Sequence, residues 1–228
     1  MPKVKARRKY NSTLRRQQAG ETRTRILDSA QKLFEEHGFV ATTMEAIAVD
    51  AGVATDTVYA NFGSKTGLLR SLIGVRVAGD ESPVRFMDRP GPQSVRTQPT
   101  QRAQLHAFAA DIASTLERAR PVDDIIRGAG AVDPEVAAMR GQMQLVRLAR
   151  LRELVDWLAE KGAFRGRIDC AEAADVVWTL ASPEVNGLLR RDRGWSQDRY
   201  VAWLADALTR ILLQDRGARK SSATIDKA

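Results

Sequence analysis

Between Thr42 and Lys65 the chain reads Thr-Thr-Met-Glu-Ala-Ile-Ala-Val-Asp-Ala-Gly-Val-Ala-Thr-Asp-Thr-Val-Tyr-Ala-Asn-Phe-Gly-Ser-Lys, and no other stretch constrains the fold as much. Apolar side chains fall at Met44, Ile47, Ala48 and Ala51, then at Val53, Val58 and Phe62, two short one-sided patterns of helical period that break at Gly52. The pattern predicts a helix-turn-helix over residues 43–62, with Gly52 taking the left-handed backbone of a tight turn. Thr42 stands three residues before Glu45, the spacing of a capping box, and predicts where the first helix begins. Ala54, Thr55, Asp56 and Thr57 are small or polar and occupy the first turn of the second helix, the end that such motifs push into a major groove. The same pair of helices also occurs in all-helical proteins that never meet DNA, so the pair alone leaves both readings open.

The wider frame from Thr22 to Leu72 resembles the TetR family of transcriptional regulators. The matching residues are Ile26-Leu27-Asp28-Ser29-Ala30 and Leu33-Phe34 in a leading helix, His37-Gly38-Phe39 at its end, Thr42-Thr43-Met44, Ile47-Ala48, Ala51-Gly52-Val53, Thr57-Val58-Tyr59, Asn61-Phe62 and Ser64-Lys65. This resemblance covers roughly the first third of the chain and implies an all-α protein: an N-terminal three-helix head and a larger C-terminal helical body that dimerises through its last two helices. It further implies that Thr43, Tyr59 and Lys65 touch phosphates and that Thr55, Asp56 and Thr57 face base edges. Ala54, Thr42 and Asn61 join the candidate DNA contacts, although Asn61 also reads as structural. Asp56 is an awkward contact, because a carboxylate is repelled by the DNA backbone unless it accepts from a cytosine or serves the helix dipole. Family members commonly carry an acidic residue where this chain has Thr66 or Gly67, so the start of the fourth helix, capped by Ser64, departs from the pattern.

Charge points the same way. The net +8 resides in residues 1–25, where nine basic side chains face Glu21 alone. Residues 1–20 lack hydrophobic periodicity and read as a disordered basic arm whose Arg7 and Arg8 reach DNA phosphates or a minor groove; a solvated tail is the plainer alternative. No apolar run approaches the roughly 18 residues of a membrane span, and no apolar segment follows the basic N-terminus as in a secretory signal, so the expected location is the cytoplasm. One cysteine and two histidines without ligand spacing predict neither disulfide nor metal, and no cofactor is expected.

Residues 21–81 form the expected DNA-binding domain, with a first helix from Thr22 to His37 stopped by Gly38 and a fourth helix from Ser64 burying Leu68, Leu69, Leu72 and Ile73. Residues 82–100 contain Pro83, Pro90, Pro92 and Pro99 and predict a loop that marks the domain boundary. The body, residues 101–214, opens with a stripe from Leu105 to Leu116, followed after Pro121 by a short segment. Asp133-Pro134 starts a long helix that carries Val136, Met139, Met143, Val146, Arg150, Leu154 and Trp157 on successive turns. A helix from Asp169 to about Arg190 is expected to kink at Pro183, and a last one begins at Ser196. Residues 215–228 read as a polar tail.

By the resemblance, the last two helices pair with those of a second copy through Val177, Leu180, Leu188, Tyr200, Trp203, Leu204, Leu208 and Ile211, and both are apolar over more than one face. Phe108, Met139, Met143, Trp157 and Trp178 are candidates to line a pocket for a small apolar effector, with His106 and Asp111 as polar anchors; ordinary core packing explains each residue singly. No phosphate loop, nucleophile motif or base-flanked carboxylate pair supports an enzyme. The expected function is therefore a homodimeric regulator, a ligand-responsive repressor of a pseudo-palindromic double-stranded operator. Its alternatives are an activator or ligand-independent regulator of the same fold, or a helical protein that coats DNA through its basic arm.

Overall fold

The computed structural model describes residues 5–214, with side chains from Leu14 onward, Arg16 excepted, and no strand occurs among the described residues. The chain divides into two compact units, Met1–Asp80 with Ala119–Gly141, and Glu81–Arg118 with Gln142–Ala228.

The first unit holds α1 (Lys5–Ala41), α2 (Met44–Ala51), α3 (Thr55–Phe62) and α4 (Lys65–Ala78). The basic arm expected to be disordered is helical from Lys5, so α1 begins far ahead of Thr22. Propensity accounts for this: between Lys5 and Ala19 the chain has no glycine or proline and is rich in Arg, Lys, Gln and Ala, which favour helix without an apolar face. Packing takes over at Ile26, which with Leu27, Ala30 and Phe34 is buried. The helix is interrupted at Gly38 (φ 78, ψ 161), a conformation open to glycine, and the chain turns Phe39 back against Phe34 with ring centroids 5.3 Å apart. Ile47 of α2, Val58 of α3 and Leu68, Leu69 and Leu72 of α4 have no exposed surface, each contributing roughly 1.5–3 kcal/mol.

Further departures from expectation come at Pro90, Pro121 and Pro183. The stretch 82–100 is not a structureless loop: Phe86–Asp88 form a 3-10 turn and Pro90–Arg96 form α5, with Met87, Pro92 and Val95 buried. Pro90 occupies the first helical turn, where a missing N–H costs nothing. The next helix, α6 (Gln101–Gly130), runs through Pro121 instead of ending before it. Proline costs a helix about 3 kcal/mol, and complete burial of Val122 and Ile126 just beyond it offsets that. α7 (Pro134–Ala159) starts as expected, with Asp133 Oδ1 accepting from the amides of Glu135 (2.9 Å) and Val136 (3.1 Å). α6 gives residues after Arg118, and α7 residues before Gln142, to the first unit.

Pro183 does not kink a long helix. It ends α8 (Cys170–Leu180) and starts α9 (Pro183–Gly187), because Ser182 caps the new helix by accepting from Val185 N at 3.1 Å. A π-helical turn, Leu188–Asp192, follows before α10 (Gln197–Leu212). The core of the second unit gathers Leu105, Phe108, Val155, Trp157, Leu158, Val177, Tyr200, Leu204 and Leu208.

Candidate nucleic-acid interface

The two threonines at the start of α2 divide the work differently from the capping-box expectation. Thr43 is the N-cap, its hydroxyl accepting from Ala46 N at 3.1 Å. Thr42 is 2 % exposed and its hydroxyl donates to the carbonyls of Gly38 (2.8 Å) and Leu33 (3.1 Å), so it satisfies the end of α1 and cannot reach DNA. The reversal at Gly38 is what turns it inward. At the other end of α2, Gly52 takes φ 65, ψ 43, and the amides of Gly52 and Val53 bond the carbonyls of Val49 (3.2 Å) and Ala48 (3.0 Å).

α3 has Ala54 at its N-cap with no side-chain bond, leaving exposed Asp56 in the first turn to complement the helix dipole. Val58 and Phe62 anchor its inner face. Ala54, Asp56, Ala60 and Asn61 are exposed, Thr55 and Thr57 half-buried, and Tyr59 is 45 % exposed. The amide of Asn61 donates to Thr57 O at 2.7 Å within its own helix. Arg23 donates to Asn61 O at 3.1 Å and lies 4.3 Å above the Phe62 ring, tying α1 to the end of α3. Sequence reading missed Arg23, which sits 38 positions from its partner and outside the apolar period of α1.

Lys65 has a different part from the one expected. Its ammonium donates to Phe39 O (2.8 Å), Thr42 O (2.9 Å) and Val40 O (3.3 Å), which takes all three of its protons. A cation at the C-terminal end of α1 is the favourable polarity, so Lys65 is a cap before it is a phosphate contact. Ser64 caps α4 by accepting from Gly67 N at 3.0 Å. The absent acidic residue has a steric cause: a Cβ on Gly67 would stand 2.2 Å from Phe62 O. Beside these residues lies an open hollow of about 350 Å³ lined by Thr43, Tyr59, Ser64, Lys65 and their neighbours. The amino-terminal ends of α2 and α4 border it and favour an anion, while Glu45, also in its lining, opposes one. The side chains of Arg7 and Arg8 lie outside the described residues.

Residues 26–72 match the family described as bacterial regulatory proteins, tetR family. That match takes in the end of α1, the whole of α2 and α3 and the first half of α4. The transcriptional regulator UidR of Escherichia coli K12 is 39 % identical to the chain over 56 residues, 25 % of this chain, and the match spans only 29 % of the length of UidR. The transcriptional repressor BepR of Brucella suis biovar 1 is 28 % identical over 185 residues, covering 78 % of this chain and 85 % of BepR. Among solved structures, a SmeT–triclosan complex superimposes with a TM-score of 0.66 at 24 % identity, covering 86 % of this chain and 93 % of that one. NalD of Pseudomonas aeruginosa superimposes with a TM-score of 0.63 at 22 % identity, over 85 % of this chain and 97 % of NalD. These likenesses extend the shared fold well beyond residues 26–72.

In the body, four of the eight candidate dimer residues, Val177, Tyr200, Leu204 and Leu208, have no exposed surface within a single chain. They build the core and have nothing left to offer a partner. Burial pushes the Tyr200 phenol up to about 12, with Asn186 and Arg147 opposing. Leu188 and Ile211 are exposed, and Leu180 and Trp203 half-buried. Of the pocket candidates, Phe108 and Trp157 are buried in that same core, Trp178 packs at its edge, Met143 is half-buried, and Met139 belongs to the first unit. His106 is exposed. Asp111 is half-buried, and burial raises its carboxyl above the ordinary aspartate value. On α7, Val136, Met139, Leu154 and Trp157 are buried as expected, Val146 faces outward, and Leu151 and Val155 join the buried side.

Proposed function

We propose that this protein is a sequence-specific DNA-binding transcriptional regulator, a ligand-responsive repressor that holds a pseudo-palindromic operator as a homodimer in the cytoplasm. The observation that carries the reading is α3, whose Val58 and Phe62 are clamped inside while Ala54, Asp56 and Tyr59 are exposed, Thr55 and Thr57 are half-buried, and Tyr59 borders the hollow at the starts of α2 and α4. Small side chains at a helix start let its backbone approach base edges, and a threonine methyl fits a thymine methyl. A homodimer presents two such helices about 34 Å, or a multiple of that, apart, which is why the operator is symmetric.

The names BepR, a repressor, and NalD, the secondary repressor of a multidrug efflux pump, support repression as the sense of regulation. Exposed Leu188 and Ile211 with half-buried Leu180 and Trp203 supply the apolar surface for a second copy. An effector works by binding the operator-released dimer more tightly than the operator-bound one, and no ligand lacking that difference alters occupancy.

Footprinting tests the reading. One short symmetric protected site, weakened in Thr57→Ala and in Tyr59→Phe, is expected. Uniform coating that survives both substitutions and disappears when residues 1–20 are removed defeats it.

A further inference from the structure

Most arginines of the second unit are accounted for. Arg85 donates to both oxygens of Glu153 (2.8 and 3.0 Å) and of Asp88 (2.9 and 3.1 Å), Arg210 pairs with Asp206, and exposed Arg199 lies 4.1 Å above Trp195 where water solvates it. Arg150 on α7 is different. It is half-buried, its guanidinium carbon lies 4.4 Å above the Phe86 ring, and no carboxylate among the described residues pairs with it. Glu153, one turn along α7, is bound to Arg85. The charged group acting on Arg150 is another cation, Arg89, itself 8 % exposed and fixed by bonds from Nη2 to Ser82 O (2.8 Å) and from Nε to Val84 O (3.3 Å). Burial, and then Arg89, pull the Arg150 guanidinium below the ordinary arginine value.

A half-buried guanidinium without a carboxylate partner and near a like charge is held less favourably than a paired one, and an anion reaching its remaining open side relieves that. We propose that Arg150, with Phe86 as an aromatic shelf and Arg89 behind it, is a receptor site for an oxyanion carried on an apolar body, either an organic carboxylate or a phosphate ester. The planar fork of arginine binds two oxygens of such a group side by side, and the ring of Phe86 adjoins the apolar part of the same ligand. The site gives the effector of the regulator reading a chemical class, and its regulatory meaning rests on that reading. Its existence as a binding site does not.

Calorimetric titration of the full-length protein with benzoate, phenyl phosphate, inorganic phosphate and the neutral isostere benzamide tests it without DNA. Benzoate or phenyl phosphate is expected to bind, and which of the two is tighter identifies the source of the oxyanion. Arg150→Gln weakens that binding about tenfold or more, and Arg150→Lys, which keeps the charge but loses the fork, falls between. Phe86→Leu weakens the aromatic anions more than inorganic phosphate. Benzamide binding as tightly as benzoate, anion binding unchanged in folded Arg150→Gln, or no heat from any of the anions overturns the proposal. Should Arg150→Gln fail to fold, wild-type affinity in Arg150→Lys overturns it equally. Operator footprinting on the same preparations separates failure of this site from failure of the regulator reading.

Discussion

Lys65 donates to the carbonyl of Phe39 at 2.8 Å and its ammonium also lies 4.5 Å above the centroid of that residue's ring, so one side chain holds both the backbone and the aromatic face of a residue just before the end of α1. Replacing it strands three carbonyls. Lys65→Met is expected to lower the unfolding free energy by about 2 kcal/mol in urea titration, with unchanged slope, before any loss of DNA affinity is counted.

Gly67→Ala should run against helix propensity. Propensity alone favours alanine by about 1 kcal/mol, but the added carbon meets the Phe62 carbonyl oxygen at 2.2 Å, backbone that cannot swing aside. A net loss of about 1–3 kcal/mol is expected in thermal melts. A gain would mean that the turn at Gly63 yields freely.

Thr42 and Thr43 separate stability from binding. Thr42→Val removes a buried hydroxyl from two carbonyls and should cost about 1–2 kcal/mol while operator affinity of the folded protein stays put in mobility-shift titration. Thr43→Ala loses a cap worth about 1 kcal/mol and should also weaken operator binding, since its exposed hydroxyl borders the hollow.

The two classes of apolar residue on the last helices predict opposite outcomes. Ile211→Asp and Leu188→Asp should sediment as folded monomers with native circular dichroism. Leu204→Asp, placing a charge where exposure is zero, should unfold the body, a loss of about 4 kcal/mol or more. Dimers persisting in both surface variants would move the interface elsewhere.

Asp111 carries a pH signature. Its folded carboxyl sits above the ordinary aspartate value because of burial, with Arg118 only partly compensating, so the folded state binds that proton more tightly than the unfolded one. Stability from this group is therefore full below the ordinary value and declines as pH rises through the raised one. Asp111→Asn should gain stability at neutral pH, and nothing in acid below the ordinary aspartate value, as read in urea titrations at the two pH values.

Short-range patterns in this chain translated well into structure. Gly52, Ser64, Asp133 and Asp169 end or begin helices where their side chains or backbones suggest, because capping depends on three or four neighbouring residues. What failed was anything decided by distant contacts. Pro121 reads as a stop until Val122 and Ile126 are seen buried, and Pro90 reads as a loop until Met87 and Val95 are. Tyr200, Leu204 and Leu208 have the periodicity of an interface and of a core alike, since period reports which side is apolar and not what lies against it. Of the DNA candidates, Thr42 is buried against the end of α1, and Lys65 caps that end, because contacts across 4 to 26 positions decide both, and these show in sequence only as a glycine at 38.

The fresh start that Ser182 gives to α9 has a bearing on how such a chain diversifies. A one-residue lengthening of a helix is absorbed as a π turn, and Leu188–Asp192 has that form, downstream of a cap that insulates α8 from the change. Length variation in this segment therefore re-aims Leu188 and the arginines beside it while the buried residues of α8 keep their register.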